Sequence, residues 1–270
     1  MKFGICCAPG ALGEVKPLMD TLEAAGADYL DWAVGAIMSS ESEFEKLRGI
    51  IEGSSLKAEA FMSFLPPHHR VTGPNVNLQA VLSYATEAMQ RAKALGGEVI
   101  VLGSGSARKL PEGFDPEVGR EQFVEFGREL GPRAAEAGST IAIEPLNRHE
   151  DNFITSVAQG ASFVDEIGHP NIQLLADFYH MFEEDETMDN VKNAGARLKH
   201  THLADLGRVA PGYAKNGEAD FVGFFGALRI AGYDARCSFE GKSDDLARQA
   251  KPILDKMRQR YAESAANVAV

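Results

Sequence analysis

Cysteine is scarce in this chain, and its few thiols match neither a disulfide framework nor a CxxC metal motif. Cys6 and Cys7 are adjacent, and Cys237, the only other cysteine, lies far away. An odd number at this spacing is not typical of a disulfide-stapled secreted domain. We therefore expect a reduced, cytoplasmic setting. The N-terminal MKFGICCAPGALG has the short apolar run of a signal peptide, but it fits a first β-strand followed by a Gly/Pro loop equally well.

Basic residues and long apolar segments are also lacking. The chain has 27 Lys and Arg against 39 Asp and Glu, a formal net charge of −12, and no cluster of basic residues. Because binding to a phosphate backbone depends on Lys and Arg, this balance argues against a nucleic-acid-binding protein, although it permits a locally basic pocket. No segment reaches the ~18 apolar residues that span a bilayer, so we expect no membrane partner.

The length and composition are those of a folded α/β domain. Hydrophobic residues make up 44% and charged residues 24% of the chain, which is typical of globular proteins. Its 270 residues are close to the roughly 250 of an eight-fold α/β barrel. No low-complexity linker divides the sequence, so we predict one domain over residues 1–270. The Pro/Gly-rich stretch Pro66–Pro74 fits a long loop over the active face.

Short β-branched runs alternate with amphipathic stretches along the whole chain, as they do in βα units. The predicted strands are Phe3–Cys7, Tyr29–Val34, Ala58–Met62, Val99–Gly103, Thr140–Glu144, Gln173–Phe178, Lys199–Ala204 and Arg236–Glu240. The predicted helices are Glu14–Ala25, Glu41–Glu52, Leu78–Leu95, Glu117–Ala137, Ser156–Ile167, Met188–Ala194, Phe221–Ile230 and Asp244–Tyr261. Eight such units predict a single (β/α)₈ TIM barrel rather than an open doubly wound sheet. Glycines after helices in AAGADY, ALGGEV, EAGSTI and IAGYDA favour one repeated architecture.

Four consecutive predicted strands in the second half carry a polar residue at or near their ends. TIAIE ends in Glu144, QLLAD ends in Asp177, KHTHLAD contains His202, and RCSFE ends in Glu240. Because catalytic groups of a barrel lie at the carboxyl ends of its strands, we expect these side chains to meet at one mouth. His200 shares the side-chain direction of His202. We select His202 because it lies nearer the end of its strand, and we take His200 as a core histidine.

Three carboxylates at one mouth repel one another unless a cation lies between them. With an imidazole they form a hard, oxygen-rich ligand set, so we predict one divalent metal ion bound by Glu144, Asp177, His202 and Glu240. Mn²⁺ is the preferred ion, Mg²⁺ and Co²⁺ also suit the set, and Zn²⁺ can occupy such a site in vitro. Each acid taken alone could instead be a solvated strand end or an arginine partner. The four together favour the metal.

The segments IAIEPLNRHE, LLADFYHMFEED, HTHLADLGRVAPG and GYDARCSFEG resemble the xylose isomerase-like TIM barrel superfamily. Within it they are similar to the sugar phosphate isomerase and epimerase branch, which includes D-tagatose 3-epimerase, hydroxypyruvate isomerase and keto-sugar epimerases. The resemblance covers most of the chain and is most specific in the second half. It implies that a Glu, an Asp, a His and a Glu hold the metal, and these fall on the four residues already selected.

The resemblance also implies that Glu150, His180 and Arg208 bind substrate. Each residue has a simpler alternative. Glu150 could be a solvated surface residue, His180 could cap the loop before the next helix, and Arg208 could pair with Asp205.

The first half departs from the family pattern. Many sugar epimerases end their second strand with Glu, whereas this chain has Asp31 and Trp32 near that place, and their role is left open. The loop FLPPHHRVTG offers His68 and His69, and we take His68 as a substrate contact, with an ordinary loop residue as the alternative. VLGSGSAR, after the fourth strand, offers two hydroxyls and Arg108.

These residues suit proton transfer beside a carbonyl group. A metal bound to the carbonyl and the adjacent hydroxyl of a ketose would stabilise the cis-enediolate formed when the neighbouring proton leaves. Glu144 and Glu240 would then remove and return the proton, and its return on the opposite face inverts the carbon. Together with this mechanism, the resemblance to sugar epimerases implies a ketose 3-epimerase. Return of the proton to the adjacent carbon would instead make the enzyme an aldose–ketose isomerase.

Three other functions share parts of this pattern. A 3-keto-glycoside epimerase or lyase would use the same proton abstraction and fits the sequence equally well. An endonuclease IV-like phosphodiesterase needs more histidines, one of them after the fourth strand, where this chain has Gly103 and Ser104, and the charge of −12 disfavours DNA. A non-catalytic binding barrel is disfavoured by the complete ligand set. The expected partner is a small sugar or keto-sugar, and the sequence leaves formation of a homo-oligomer open.

Overall fold

Eight parallel strands pair in chain order and close into a barrel, because β1 also pairs with β8. This is the predicted (β/α)₈ TIM barrel. The structure is a computed structural model that describes residues 1–215 and 217–268. Its strands are β1 (Lys2–Cys7), β2 (Tyr29–Ala33), β3 (Ala58–Met62), β4 (Val99–Leu102), β5 (Thr140–Ile143), β6 (Ile172–Asp177), β7 (Leu198–Leu203) and β8 (Arg236–Phe239).

Helices follow the strands around the outside of the barrel. They are α1 (Leu12–Ala25), α2 (Val34–Ile37), α3 (Glu41–Glu52), α4 (Leu78–Ala94), α5 (Gly105–Arg108), α6 (Pro116–Ala137), α7 (Val157–Ile167), α8 (Phe178–Glu183), α9 (Met188–Ala194), α10 (Phe221–Ile230) and α11 (Leu246–Glu263). The predicted elements agree with these bounds to within two residues. The short helices α2, α5 and α8 were not predicted, because four to six residues are too few to show a helical period. None of the described helices is long and apolar enough to cross a bilayer.

Glycine ends the helices at the joints that the sequence singles out. Gly26 after α1 and Gly138 after α6 adopt the left-handed conformation, with φ of 78° and 66°. Gly96 and Gly232, in the other two joints, also have positive φ. Because a glycine has no Cβ, it adopts this conformation without strain and turns the chain into the next strand. The four joints therefore repeat one local device, as predicted.

The interior of the barrel is narrow and filled mostly by small side chains. A cluster separate from the main core between barrel and helices consists of Tyr29, Ala60, Val99, Val101, Ala142 and Leu175. Alternate residues of a strand point to the same side. Asp31, Glu144 and Asp177 each follow a member of this cluster by two residues, so their side chains point inward as well, nearer the carboxyl ends of the strands.

The strand register brings the second-half residues side by side. Asp177 on β6 pairs with His202 on β7, and His202 pairs with Ser238 on β8. Glu240 follows Ser238 by two residues and therefore points to the same side of the sheet. The predicted loop Pro66–Pro74 lies between β3 and α4 and contains neither helix nor strand. The fold thus opens one mouth, with the polar strand ends around it.

Candidate metal centre and active site

Three carboxylates and two imidazoles surround a small space at the mouth of the barrel. Glu144, Asp177, His180 and Glu240 each offer a ligand atom within 4.8 Å of the others. His202 borders the same space, with Nδ1 3.1 Å from Glu144 Oε1 and 3.7 Å from Glu240 Oε2. The structure therefore brings the four predicted ligands together and adds His180 to them.

The hydrogen bonds of His180 indicate that it presents a donor to this space. Its Nδ1 accepts from the backbone N–H of Asn147 at 3.1 Å. A neutral imidazole that accepts at Nδ1 carries its hydrogen on Nε2. This Nε2 lies 3.6 Å from Asp177 Oδ2. His180 is therefore arranged to donate a hydrogen bond to a bound oxygen, in keeping with the substrate role that the resemblance implies, rather than to bind a cation.

Burial and mutual repulsion perturb the carboxylates. Burial raises the pKa of Asp177 to about 7, and the charge of Glu240 adds to the effect. Burial and the charge of Glu240 also raise the pKa of Glu144. For Glu240, burial acts in the same direction, but the charges of His202 and Arg208 outweigh it and lower the pKa. The three acids therefore lie too close together to be ionised at once without a compensating charge.

The residues present fit a divalent cation. Asp177 Oδ2 is buried and has no hydrogen-bond partner among the described residues, although its Oδ1 accepts from the backbone N–H of Tyr179 at 2.8 Å. A buried carboxylate oxygen without a partner is costly, and a cation relieves that cost. Together with Glu144, Glu240 and His202 Nδ1, it forms the oxygen-rich donor set that suits Mn²⁺, Mg²⁺ or Co²⁺.

Arg208 links this set to the rim of the mouth. Its guanidinium donates to Glu240 Oε2 at 2.8 Å and to Glu150 Oε1 at 2.9 Å, and lies 5.3 Å from the ring centre of Tyr179. The alternative partner, Asp205, accepts instead from the backbone N–H groups of Leu206, Gly212 and Ala219. Arg208 has a φ of 59°, a left-handed conformation that costs a non-glycine residue free energy and persists only where the surrounding contacts hold it. Arg208 and Glu150 are thus placed beside the carboxylate cluster.

Glu144 depends on two neighbours that the sequence did not identify as its supports. Arg108 is fully buried and donates to the Glu144 carbonyl at 2.6 Å, while its Nε pairs with Asp151 at 2.6 Å. Gly103 leaves room for the carboxylate, because a Cβ at this position would overlap Glu144 Oε2. The glycines in VLGSGSAR indicate that a neighbouring group approaches the backbone there, but they do not indicate that this group is the carboxylate of Glu144. Arg108 therefore supports Glu144 rather than offering its guanidinium to the mouth.

Three residues that the sequence singles out in its first half, His68, Trp32 and Asp31, lie at different depths in the barrel. His68 is exposed, and its ring stacks on His69, which stacks on Tyr84 of α4, at centroid distances of 4.5 and 4.6 Å. No described contact joins His68 to the carboxylate cluster, and its substrate role stays a prediction. Trp32 is buried in the core between barrel and helices. Asp31 is fully buried inside the barrel, beneath the mouth.

Comparisons with known proteins agree with the barrel fold. A family model described as Xylose isomerase-like TIM barrel matches residues 19–264. L-ribulose 3-epimerase of Methylomonas sp. (strain DH-1) is 30% identical over 231 residues, which cover 82% of this chain and 76% of that protein. The 3-dehydro-D-guloside 4-epimerase of Escherichia coli (strain K12) is 34% identical over 142 residues, 52% of this chain and 53% of that one. The solved D-psicose 3-epimerase of Clostridium cellulolyticum H10 with D-tagatose superposes with a TM-score of 0.84 at 22% identity, covering 97% and 99% of the two chains.

Gly103→Ala should weaken metal binding, because the added methyl group would displace the carboxylate of Glu144. We expect the dissociation constant for Mn²⁺, measured by calorimetry, to rise about tenfold or more. Gly35→Ala in α2 is the matched control, since a Cβ at this glycine meets nothing within 4 Å, and its affinity should equal that of the wild type. Unchanged affinity in Gly103→Ala would contradict the position assigned to Glu144.

Metal binding should also depend on pH through Asp177. A carboxylate must be deprotonated to bind a cation, and the pKa of Asp177 is raised to about 7 in the metal-free protein. Below that pH the ion must displace a proton, so its affinity should fall as the pH falls through about 7. Calorimetry in buffers of different ionisation enthalpy should show more protons released per ion below about pH 7 than above it. A constant proton release across this range would refute the raised pKa.

Proposed function

Because the chain belongs to the xylose isomerase-like TIM barrel family, we propose that it is an epimerase or isomerase of small carbohydrates, and more narrowly a divalent-metal-dependent ketose 3-epimerase. The observation that carries this proposal is the position of Glu144 and Glu240. They approach His202 Nδ1 from β5 and β8, at 3.1 and 3.7 Å, and thus face one space from two non-adjacent strands. Two carboxylates so placed can serve opposite faces of a carbon held between them.

Glu144, Asp177, His202 and Glu240 would hold the metal, for which Mn²⁺ is the ion we expect. When bound, such an ion polarises the substrate carbonyl and favours loss of the adjacent proton. In the metal-free protein the charges of His202 and Arg208 lower the pKa of Glu240, whereas burial and the charge of Glu240 raise the pKa of Glu144. A bound cation would favour the ionised form of both carboxylates, so that each could accept a proton from the substrate carbon and return it on its own face.

The rim residues would hold the sugar. His180 presents its Nε2–H toward the carboxylate cluster and is suited to donate to a hydroxyl or carbonyl oxygen. Arg208 offers a guanidinium beside the reacting space, and Glu150, to which it pairs, is partly exposed at the edge of the mouth. Hydroxyl groups of a small sugar need both donors and acceptors, and this rim provides both.

A second candidate function is a 3-keto-glycoside epimerase or lyase. Such an enzyme would use the same carboxylates, because it also removes a proton beside a keto group. The similarity to a 3-dehydro-D-guloside 4-epimerase over about half of the chain supports including this substrate class.

The endonuclease alternative fits less well. A histidine after β4 would have to occupy the place of Gly103, and that space holds the carboxylate of Glu144. The net charge of −12 also disfavours a DNA substrate. A small sugar or keto-sugar is therefore the substrate we propose. A reduced, cytoplasmic setting goes with it, since all three cysteines carry free thiols.

Removing the metal should lower both activity and thermal stability. A ligand that binds only the native state at a hundred times its dissociation constant adds about 2.7 kcal/mol, which for a chain of this size is roughly 5–10 °C in melting temperature. Chelation should therefore lower the melting temperature by that amount and abolish turnover, and Mn²⁺ or Co²⁺ should restore both. Full activity after verified removal of all metal would exclude metal dependence.

Substitution of one carboxylate at a time should separate proton exchange from inversion. In deuterated water, the wild type should incorporate deuterium at the carbon beside the carbonyl while forming the epimer. Glu144→Gln and Glu240→Gln should each lower inversion by about a hundredfold or more, and the variant that keeps the abstracting carboxylate should still exchange deuterium into unreacted substrate. The substrates are a panel of ketoses and 3-keto-glycosides, which also decides between the two candidate functions.

The matched control for these variants is Glu121→Gln, which changes an exposed glutamate on α6 outside the mouth and should leave both rates unchanged. Each variant is assayed at saturating metal, so that a loss of turnover reports proton transfer rather than lost metal. Direct passage of label between adjacent carbons, with no variant separating exchange from inversion, would replace the two-carboxylate epimerase with an aldose–ketose isomerase.

A further inference from the structure

Asp31 lies beneath the mouth and contacts Nε2 of His202, the ring nitrogen that faces away from the carboxylate cluster. It is fully buried on β2 inside the barrel. Its Oδ2 lies 2.7 Å from His200 Nε2, 2.8 Å from Ser238 Oγ and 3.0 Å from His202 Nε2. All three of these groups can donate a hydrogen bond. One carboxylate oxygen therefore gathers side chains from β7 and β8 that no sequence motif connects to it.

The contact with His202 determines which ring nitrogen faces the mouth. When Nε2 donates its hydrogen to Asp31, the neutral ring has its lone pair on Nδ1. That atom is the one that lies 3.1 Å from Glu144 Oε1 and 3.7 Å from Glu240 Oε2. Because a lone pair directed at two carboxylates is unfavourable, Nδ1 carries a hydrogen toward them in the metal-free protein, and a bound cation would take the place of that hydrogen. A carboxylate behind a ligating imidazole is the arrangement that orients the ring and strengthens its binding to metal.

We propose that Asp31 is a positioning residue for the metal site, which holds His202 in the tautomer and ring orientation that direct Nδ1 to the ion. The proposal rests on the metal-dependent function proposed above and adds a residue from the first half of the chain to that site. His200 and Ser238 are the other two hydrogen-bond donors to Asp31 Oδ2. Tyr29, whose hydroxyl lies 2.6 Å from Ser238 Oγ, extends the network toward the centre of the barrel.

A different use of the same residues would be a second cation site. Cys6, Asp31 and His202 lie close enough together to hold an ion, with Cys6 Sγ 3.8 Å from His202 Nε2. Asp31 Oδ1 is buried without a hydrogen-bond partner among the described residues. However, Asp31 Oδ2 already has three donors, and one of these is the ring nitrogen that a second ion would need. The observed contacts therefore favour a hydrogen-bonded anchor, which predicts one ion per chain rather than two.

The test compares Asp31→Asn with Ser238→Ala in the full-length protein. Both substitutions change the hydrogen bonds of residue 31. Asp31→Asn alters the acceptor itself, whereas Ser238→Ala removes one donor and leaves the contact between Asp31 and His202 intact. Calorimetry with Mn²⁺ should show one site per chain in the wild type, a dissociation constant about 10–100-fold higher in Asp31→Asn, and a value close to the wild type in Ser238→Ala. With Co²⁺, the visible absorption bands should shift in Asp31→Asn only, because the imidazole changes its orientation toward the ion.

Three outcomes would overturn the proposal. The first is wild-type metal affinity with an unshifted Co²⁺ spectrum in Asp31→Asn. The others are an equal loss of metal affinity in both variants and two ions bound per chain of the wild type. A merely structural role would lower the melting temperature of Asp31→Asn and leave the Co²⁺ spectrum unchanged. If the wild type itself binds no divalent metal, the proposed metal-dependent function fails first, so the two failures are distinguishable.

A measurement on the wild type keeps the proposal testable if Asp31→Asn does not fold. Long-range ¹H–¹⁵N spectra of the Zn²⁺-loaded protein, with the ring of His202 assigned through its bonds to the backbone, show which of its two nitrogens binds the metal. We expect its Nε2 to carry a hydrogen that exchanges slowly with water, since the ring is fully buried. A metal-bound His202 whose Nε2 bears no hydrogen, or whose Nδ1 is protonated, would refute the role of Asp31.

Discussion

Repulsion between like charges at the mouth of the barrel is the constraint on which the rest of the site depends. Glu144, Asp177 and Glu240 lie within 4.8 Å of one another in a space with little access to water. Neighbouring groups are placed to reduce the resulting cost: Arg208 pairs with Glu240, and His202 lies between Glu240 and Glu144. One carboxylate oxygen of Asp177 remains without a partner among the described residues. This imbalance is what makes the mouth suitable for a positive centre.

The barrel supports such a concentration of charge because successive side chains along each strand point alternately into the barrel and outward. The same inward positions that hold Ala142 and Leu175 deeper in the barrel present Glu144 and Asp177 two residues later. Buried side chains, among them Tyr29 and Leu175, fill the interior below, so the charges act on one another at low dielectric. The backbone around Glu144 is held independently by the buried pair Arg108 and Asp151. Arg108 and Asp151 thus hold the backbone at this end of β5, while the side chain of Glu144 is left free to face the mouth.

Much of this architecture could be predicted from the sequence, because strand period, helix caps and strand-end residues are local signals. The eight strands and the convergence of Glu144, Asp177, His202 and Glu240 follow from such signals and from one rule about barrels. The supporting contacts could not be predicted in the same way. Asp31 and His202 are 171 positions apart, and their contact depends on the closed barrel. Gly103 acts through an atom that it lacks, which no pattern of residue types displays.

The division of the barrel into halves has a consequence for how its specificity can change. The proposed metal ligands lie on the stretch from β5 to the residue after β8, while the small residues around Gly10 and Gly35 belong to the first two units. Insertions and exchanges in the loops of those units can change the residues that border the mouth without moving a proposed metal ligand, provided that Asp31 and Gly103 are kept. A protein built in this way can acquire new substrates in evolution or in directed selection by varying one segment of its gene, while the segment that encodes the chemistry stays constant.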